Sequence, residues 1–422
     1  MDKILIITPK KIIYGILFFV IAFDALIAEL HFPSSILYFN DFLWIILFVF
    51  LLKNRALKRL KRRGLQSTVL ILEVFTLTLF TSSIVNFVDP VLVVWAVRNT
   101  FRFYVFFIAC VYYLDRDDLN TIFEYSFYVQ ILNFILAMYQ YFLLGLSKDN
   151  LGGIFGHGNG MALNTFQAIV YAYFLSGYFA KKHPLYKIII VALSSIIIAA
   201  LAEEKAYYVY FIIITILVVL LSRVSLKTGI VVIGCAVLLP IALSLLEKIA
   251  GKASLDILTN RETLVHYAEH SYGLNRINPF VQIKQLFFGD STLHTLFGLG
   301  FGKCESSGFR IFTSPFYAKY GYLQYVDFTH EKRFLETGYL GFATFLLLFV
   351  DNIRIMAARI IRFRIRDYYV VTALVINVIA IVSCWFSCAL IVGEAYIIYF
   401  GIAIAGIIIK EQYGNDAYMN EM

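Results

Sequence analysis

The chain has 422 residues, of which 60% are hydrophobic, 17% aromatic and 15% charged, with a formal net charge of +8. A soluble domain carries about 25% charged residues, and apolar stretches of about 20 residues mean helices that cross a bilayer, so a water-soluble fold is excluded for most of the chain.

In chain order the apolar runs predict about twelve spans. They fall at residues 12–30, 36–52, 67–88, 91–114, 121–145, 160–180, 188–202, 206–221, 228–247, 334–350, 370–392 and 395–409. The expectation is an all-α integral membrane protein. Residues 1–247 would hold nine spans with short loops, 248–333 one long loop, and 334–422 the last three spans and a tail. The first run has no small-residue cleavage site and reads as a span, with no cleavable signal peptide. The runs on either side of "AEEKAYY" are too short to cross about 30 Å at about 1.5 Å per residue, and read as half-helices meeting at a polar notch.

Lysine and arginine placement sets the orientation. "KNRALKRLKRR" (53–63), "KKHPLYK" (181–187), "SRVSLK" (222–227) and "NIRIMAARIIRFRIR" (352–366) fall on one side, whereas the opposite turns at 31–35, 89–90 and 392–394 carry neither residue. The positive-inside rule puts both termini in the cytoplasm and the long loop on the outer face, with "GIFGHGNGMALN", the notch and "THEKRFLETG". Juxtamembrane placement accounts for the basic segments, so no nucleic-acid partner is expected. No repeat of corresponding broken helices is visible, which counts against an inverted-repeat transporter. The five cysteines show no metal spacing and only Cys304 lies in the long loop, so neither a disulfide framework nor a metal site is expected.

Charges inside spans cost about 2.5–3.5 kcal/mol each, so each needs a partner or a function. Arg98 and Arg102 lie four apart on one face of the fourth span, about 10 and 16 Å below its outer end, and Asp24 lies about 9 Å below the outer end of the first. Two readings, which can both hold, are that Arg98 pairs with Asp24 and Arg102 with Glu73, holding helices together, and that an arginine reaches up to bind a phosphate, for which its planar fork is suited. The notch residues Glu203, Glu204 and Lys205 read as an anion site, with Lys205 on the phosphate and a glutamate orienting it, or as a solvated turn. The glycines of "GIFGHGNGMALN" give a tight turn or a close approach to an anion, with His157 and Asn159 in supporting positions.

"HYAEH" (266–270) matches H-x-x-E-H, but no third ligand follows at a fixed spacing and an exposed helical face is expected. "HTLFGLGFGKC" (294–304) has the wrong spacing for a dinucleotide fingerprint and no βαβ unit around it, so no nucleotide cofactor is expected. His330 stands at the outer start of a span that also carries Arg333 and Glu336. It is either an ordinary loop histidine or a group that takes a proton from a hydroxyl or holds it by hydrogen bond.

"LFGLGFG", a stretch of some thirty residues, and "THEKRFLETGYLGFATFLLLF" together resemble the end of the external loop in Wzy-type O-antigen and capsular polysaccharide polymerases and the related O-antigen ligases. The matching positions are Gly298, Gly300, His330, Glu336, Gly338 and Gly341. The half-helix pair is also similar, although the family usually shows Ser-Arg at the notch where this chain has Glu204-Lys205. "LNRINPFVQIKQLFFG" resembles the family's arginine before an apolar helix, which implies Arg276 as a phosphate ligand followed by Phe280. The resemblance implies a GT-C-like, metal-independent glycosyltransferase acting on undecaprenyl-diphosphate-linked glycans at the outer face of the bacterial inner membrane. It implies His330 as the group that deprotonates or positions the acceptor hydroxyl and Glu336 as its orienting partner. Arg276 and Lys205, with Arg98, Arg102 or Arg333, would neutralise the diphosphate. Membrane lipid and a chain-length regulator are the implied partners. A ligase using the same donor and a lipid-linked glycan flippase remain open at this point.

Overall fold

A computed structural model of the protein describes residues 8–222, 226–270, 273–274, 276–362 and 367–421, and all regular structure in them is helical. Thr8 caps α1 (Pro9–Leu30), which ends at His31 in a left-handed conformation. A 3₁₀ turn, Ser34–Tyr38, leads into α2 (Phe39–Lys53), so the second apolar run becomes an α-helix a few residues late. The basic segment that follows is itself partly helical, as α3 (Ala56–Arg62). Next come α4 (Gln66–Val85), α5 (Pro90–Tyr113) and α6 (Arg116–Phe142). Asp89 followed by proline starts α5, and a capping box of Asp115 and Asp118 starts α6.

Then follow α7 (Gly160–Phe179), the half-length pair α8 (Leu185–Leu201) and α9 (Lys205–Leu221), and α10 (Leu226–Ala250). The long loop is built of short helices: α11 (Lys252–Thr259), α12 (Arg261–His270), α13 (Pro279–Ile283), α14 (Thr292–Phe297) and α15 (Pro315–Tyr320). The chain finishes with α16 (Thr329–Ile361), α17 (Tyr368–Phe386) and α18 (Tyr396–Glu421).

Among the described residues nine helices are long and apolar enough to cross a bilayer, and α8 and α9 are apolar but only 17 residues each. The protein is a membrane-embedded helical bundle. Its inner helices are α7, α17 and α18, whose side chains are mostly buried. Phe18, Phe42, Leu77, Val94 and Ile233 on outer helices are exposed, a surface that only hydrocarbon would solvate well. Buried amides hold helices together where there is no water to compete. Gln130 of α6 donates to Ser194 of α8 at 2.9 Å, and Asn352 of α16 donates to Asn377 of α17 at 3.0 Å.

Candidate functional site

The break in α16 organises the site. Gly338 sits at φ 61° and ψ −160° inside the helix, a region open essentially only to glycine. The break leaves the carbonyls of Leu335 and Glu336 without their helical donors. The segment after α14 supplies replacements, Leu299 N–H to Leu335 O at 2.9 Å and Gly300 N–H to Glu336 O at 3.0 Å. From α4, Ser82 Oγ lies 2.5 Å from Phe297 O and 2.8 Å from Glu336 O, and Asn86 donates to Gly298 O at 3.1 Å. The approach needs two glycines. A Cβ on Gly298 would overlap the Glu336 carbonyl, and one on Gly338 would stand 2.5 Å from the Leu296 carbonyl carbon. The two glycine motifs of the sequence are thus the two halves of one backbone joint.

The helical turns before the break, Thr329 to Thr337, are buried throughout. His330 is 0% exposed. Its Nδ1 lies 2.7 Å from Cys384 O, and because a carbonyl only accepts, Nδ1 carries the proton. The neutral ring then has a lone pair on Nε2, which finds no hydrogen-bond partner among the described residues and lies 3.9 Å from Glu331 Oε1. Trp385 stacks on the imidazole at 5.5 Å between centroids, and Phe280 and Phe328 lie 6.0 Å away.

The carbonyl that holds His330 exists because α17 ends early. The sequence predicts a span to residue 392, but the helix stops at Phe386, and residues 387–392 run irregularly to a 3₁₀ turn, Gly393–Ala395, that leads into α18. Carbonyls at and just past the end of α17 are taken instead by the start of α16: Cys384 O by His330, and that of the capping residue Ser387 by Thr329 through both N–H (3.1 Å) and Oγ1 (2.9 Å).

Arg276 belongs to this group. Its guanidinium lies 4.7 Å above the Phe328 ring and 5.1 Å above Tyr267, whose hydroxyl accepts its Nη1 at 3.2 Å. It acts electrostatically on Asp327 and Glu331. Burial pushes the Asp327 carboxyl above its ordinary value, and the Arg276 charge pulls it partly back. The structure therefore brings together Arg276, Phe280 and His330 from separate stretches of sequence, and adds Glu331 and Trp385.

The other residues of the same helical segment are engaged elsewhere. Arg333 donates to Thr100 of α5 at 3.1 Å and lies 3.7 Å from Glu336, whose Oε1 accepts Gly302 N–H at 3.3 Å. Glu336 is thus tied to Arg333 and the glycine joint, while Glu331 is the carboxylate beside His330. Lys332 pairs with Glu305 at 2.9 Å, and Glu305 accepts from Asn99, which accepts from Arg98 at 2.7 Å.

The intramembrane arginines pair differently from the sequence expectation. Arg98 forms its ion pair with Asp41 of α2, and Arg102 lies 3.6 Å from the same carboxylate. Asp24 instead accepts from Asn159 at 3.3 Å, and Glu73 pairs with Lys61 at 2.8 Å on the exposed side. Counting depth along a helix gives a height and leaves the neighbouring helix undetermined, which is why Asp41, close to Arg98 but on α2, went unpredicted. Arg98, Arg102, Asp24 and Glu394 line a cavity of about 320 Å³.

At the notch, Lys205 pairs with Glu203 at 2.8 Å, and Glu203 also accepts from Ser254 of α11 and lies 3.8 Å from Lys148. Glu204 accepts from Asn164 of α7 at 2.5 Å. His157 lies 3.3 Å from Glu29 of α1. Gln140 grips both backbone groups of Gly153, so "GIFGHGNG" forms a turn packed between α1 and α6. His266 lies on α12, whereas the side chain of His270 lies outside the described residues.

Sequence reasoning missed Glu331, Trp385, Asp41 and Glu394. Glu331 stands next to His330 in the motif already singled out, and burial alone separates it from an ordinary flanking charge. Trp385 carries no sequence signal, because the irregular stretch that begins at Ser387 contains no proline and no glycine before Gly393. No protein-family model matches the chain, and comparison with curated proteins gave no match.

Proposed function

We propose that this protein is a metal-independent glycosyltransferase that joins undecaprenyl-diphosphate-linked repeat units into an O-antigen or capsular polysaccharide at the outer face of the bacterial cytoplasmic membrane. The proposal takes the bundle as GT-C-like, with about twelve crossings, both termini cytoplasmic and a chain-length regulator as a partner. The observation that supports it best is the protonation pattern at His330. A carbonyl holds Nδ1–H, and an unpartnered Nε2 lone pair faces a carboxylate in a dry, aromatic-walled position beside an arginine.

That arrangement suits transfer onto a hydroxyl. The acceptor oxygen forms a bond to the donor's anomeric carbon as the bond from that carbon to the diphosphate oxygen breaks, its electron pair leaving with the diphosphate. Nε2 takes the hydroxyl proton, and the Cys384 carbonyl that holds Nδ1–H favours the resulting imidazolium. Arg276, always charged, offsets the charge that grows on the leaving diphosphate. Trp385 is 40% exposed, and its movement would uncover the imidazole to a lipid-linked substrate.

The test is a reaction of the purified protein in nanodiscs with its own lipid-linked repeat unit and no nucleotide sugar. A product ladder that His330→Ala abolishes, with the variant still inserted and abundant, is the expected result. An unchanged single band from the unaltered protein overturns the polymerase reading. Transfer to a lipid A-core acceptor would then identify a ligase, and a leaflet-accessibility assay with the same lipid a flippase.

A further inference from the structure

The cavity between α1, α2, α5 and the turn before α18 lies apart from the His330 group, and its lining is suited to a different ligand from the one its arginines first suggest. Its walls carry Asp24, Asn40, Arg102, Glu394 and Tyr396, with the ring of Tyr38 at one side. Three of these polar groups are at least nine-tenths buried and incompletely bonded. Asn40 Oδ1, Arg102 Nε and Tyr396 Oη find no hydrogen-bond partner among the described residues, at 6%, 9% and 1% exposure. Buried polar atoms without partners are uncommon in native structures, and several around one cavity mark a place where something else supplies the bonds. The volume of about 320 Å³ falls within the range of about 300–1,000 Å³ seen for small-ligand sites.

Charge decides the ligand class. Asp41 takes the Arg98 fork and stands 3.6 Å from Arg102, so the two cations share one counter-charge and the lining carboxyls of Asp24 and Glu394 stand against the rest. Asp24 and Glu394 are further lining residues, and a diphosphate entering there would meet them. What remains on offer is a mixture of donors and acceptors: guanidinium and phenol N–H and O–H groups, carboxyl and amide oxygens, and the aromatic rings of Tyr38 and Tyr396. We propose that this cavity is a binding subsite for a neutral, polyhydroxylated saccharide unit and that it excludes the diphosphate. The inference rests on the glycosyltransferase reading only for the source of the saccharide.

Trp95 provides the readout, since the Arg98 guanidinium lies 4.6 Å above its ring. The protein has three tryptophans, so Trp44→Phe with Trp385→Phe leaves Trp95 as the only indole. This double variant, in nanodiscs, would be titrated separately with the free oligosaccharide repeat unit released from its lipid by mild acid and with inorganic diphosphate. A saturable change in Trp95 emission with the oligosaccharide, absent with diphosphate and weakened at least tenfold by Glu394→Gln or Asn40→Ala, is expected. Saturation by diphosphate alone overturns the proposal and makes this an anion site. No saturable change with either probe overturns it in favour of a water-filled cavity, and a response indifferent to both substitutions places binding elsewhere. A polymer ladder without this binding would remove the subsite and keep the enzyme; binding without a ladder would do the reverse.

Discussion

Replacing Gly338 by alanine tests the joint on which the site is built. At φ 61° and ψ −160° a non-glycine residue costs about 1–3 kcal/mol. The added methyl would stand 2.5 Å from the Leu296 carbonyl carbon, 2.6 Å from its oxygen and 2.7 Å from Gly298 N, all backbone atoms with no flexible end to yield. Relief comes by undocking the 297–302 segment, which gives up the two hydrogen bonds from Leu299 and Gly300 at about 1 kcal/mol each. Those bonds are lost on opening in either protein, so the difference between the two is the strain itself, about 1–3 kcal/mol. At about 1.4 kcal/mol per tenfold change, local opening of this segment should become about fivefold to a hundredfold more populated. Lys303 lies at the end of the segment and is only partly exposed. Limited trypsin digestion in nanodiscs should therefore cut after Lys303 at least about fivefold faster in the variant, since cleavage follows the population of the open form. The rest of the bundle should stay resistant. Equal cleavage rates in the two proteins would refute the account of the joint, whatever the protein's activity.

Glu336→Gln keeps an acceptor for Gly302 N–H but leaves the buried Arg333 charge without its counter-charge, so it should lower stability by about 3 kcal/mol or more, read by thermal unfolding in detergent. Arg333→Met added to it should cost much less than the two single losses together. Arg276→Lys preserves the charge but loses the planar stack on Phe328 and Tyr267. Product formation should fall by about tenfold, against about a hundredfold or more for Arg276→Ala, and equal rates for lysine and arginine would remove the role of the fork. Burial raises the Glu203 carboxyl, but its bonds to Lys205 and Ser254 and the nearby lysine charges lower it further, so in the folded protein it lies below its ordinary value of 4.5. A depressed carboxyl stabilises the fold above the unfolded value and loses that contribution as pH falls through the folded one. The unaltered protein should thus exceed Glu203→Gln in thermal stability at pH 7, with the gap closing below about pH 4.5, and a gap independent of pH would show that the ion pair contributes nothing.

Composition and apolar run length were sufficient to establish a membrane-embedded helical protein, because a bilayer admits only segments whose backbone bonds close internally. They also located the helices, including the half-length pair at "AEEKAYY", since proline, capping aspartates and the polar interruption act within a few residues. The glycines at 298 and 338 were legible as motifs, but their purpose was not. Their shared task is to let two backbones meet, and that contact joins residues 40 positions apart. Partners across the bundle were hidden for the same reason. Arg98 and Asp41 are 57 residues apart, and nothing local favours Asp41 over Asp24. The early end of α17 depends on donors that α16 brings to its last carbonyls, a contact spanning 54 residues. Local sequence sets which segments are helical and how deep each side chain lies along its own axis. Which helix stands opposite is fixed by the packing of the whole bundle, and the bonding of Nε2 in His330 depends on that packing.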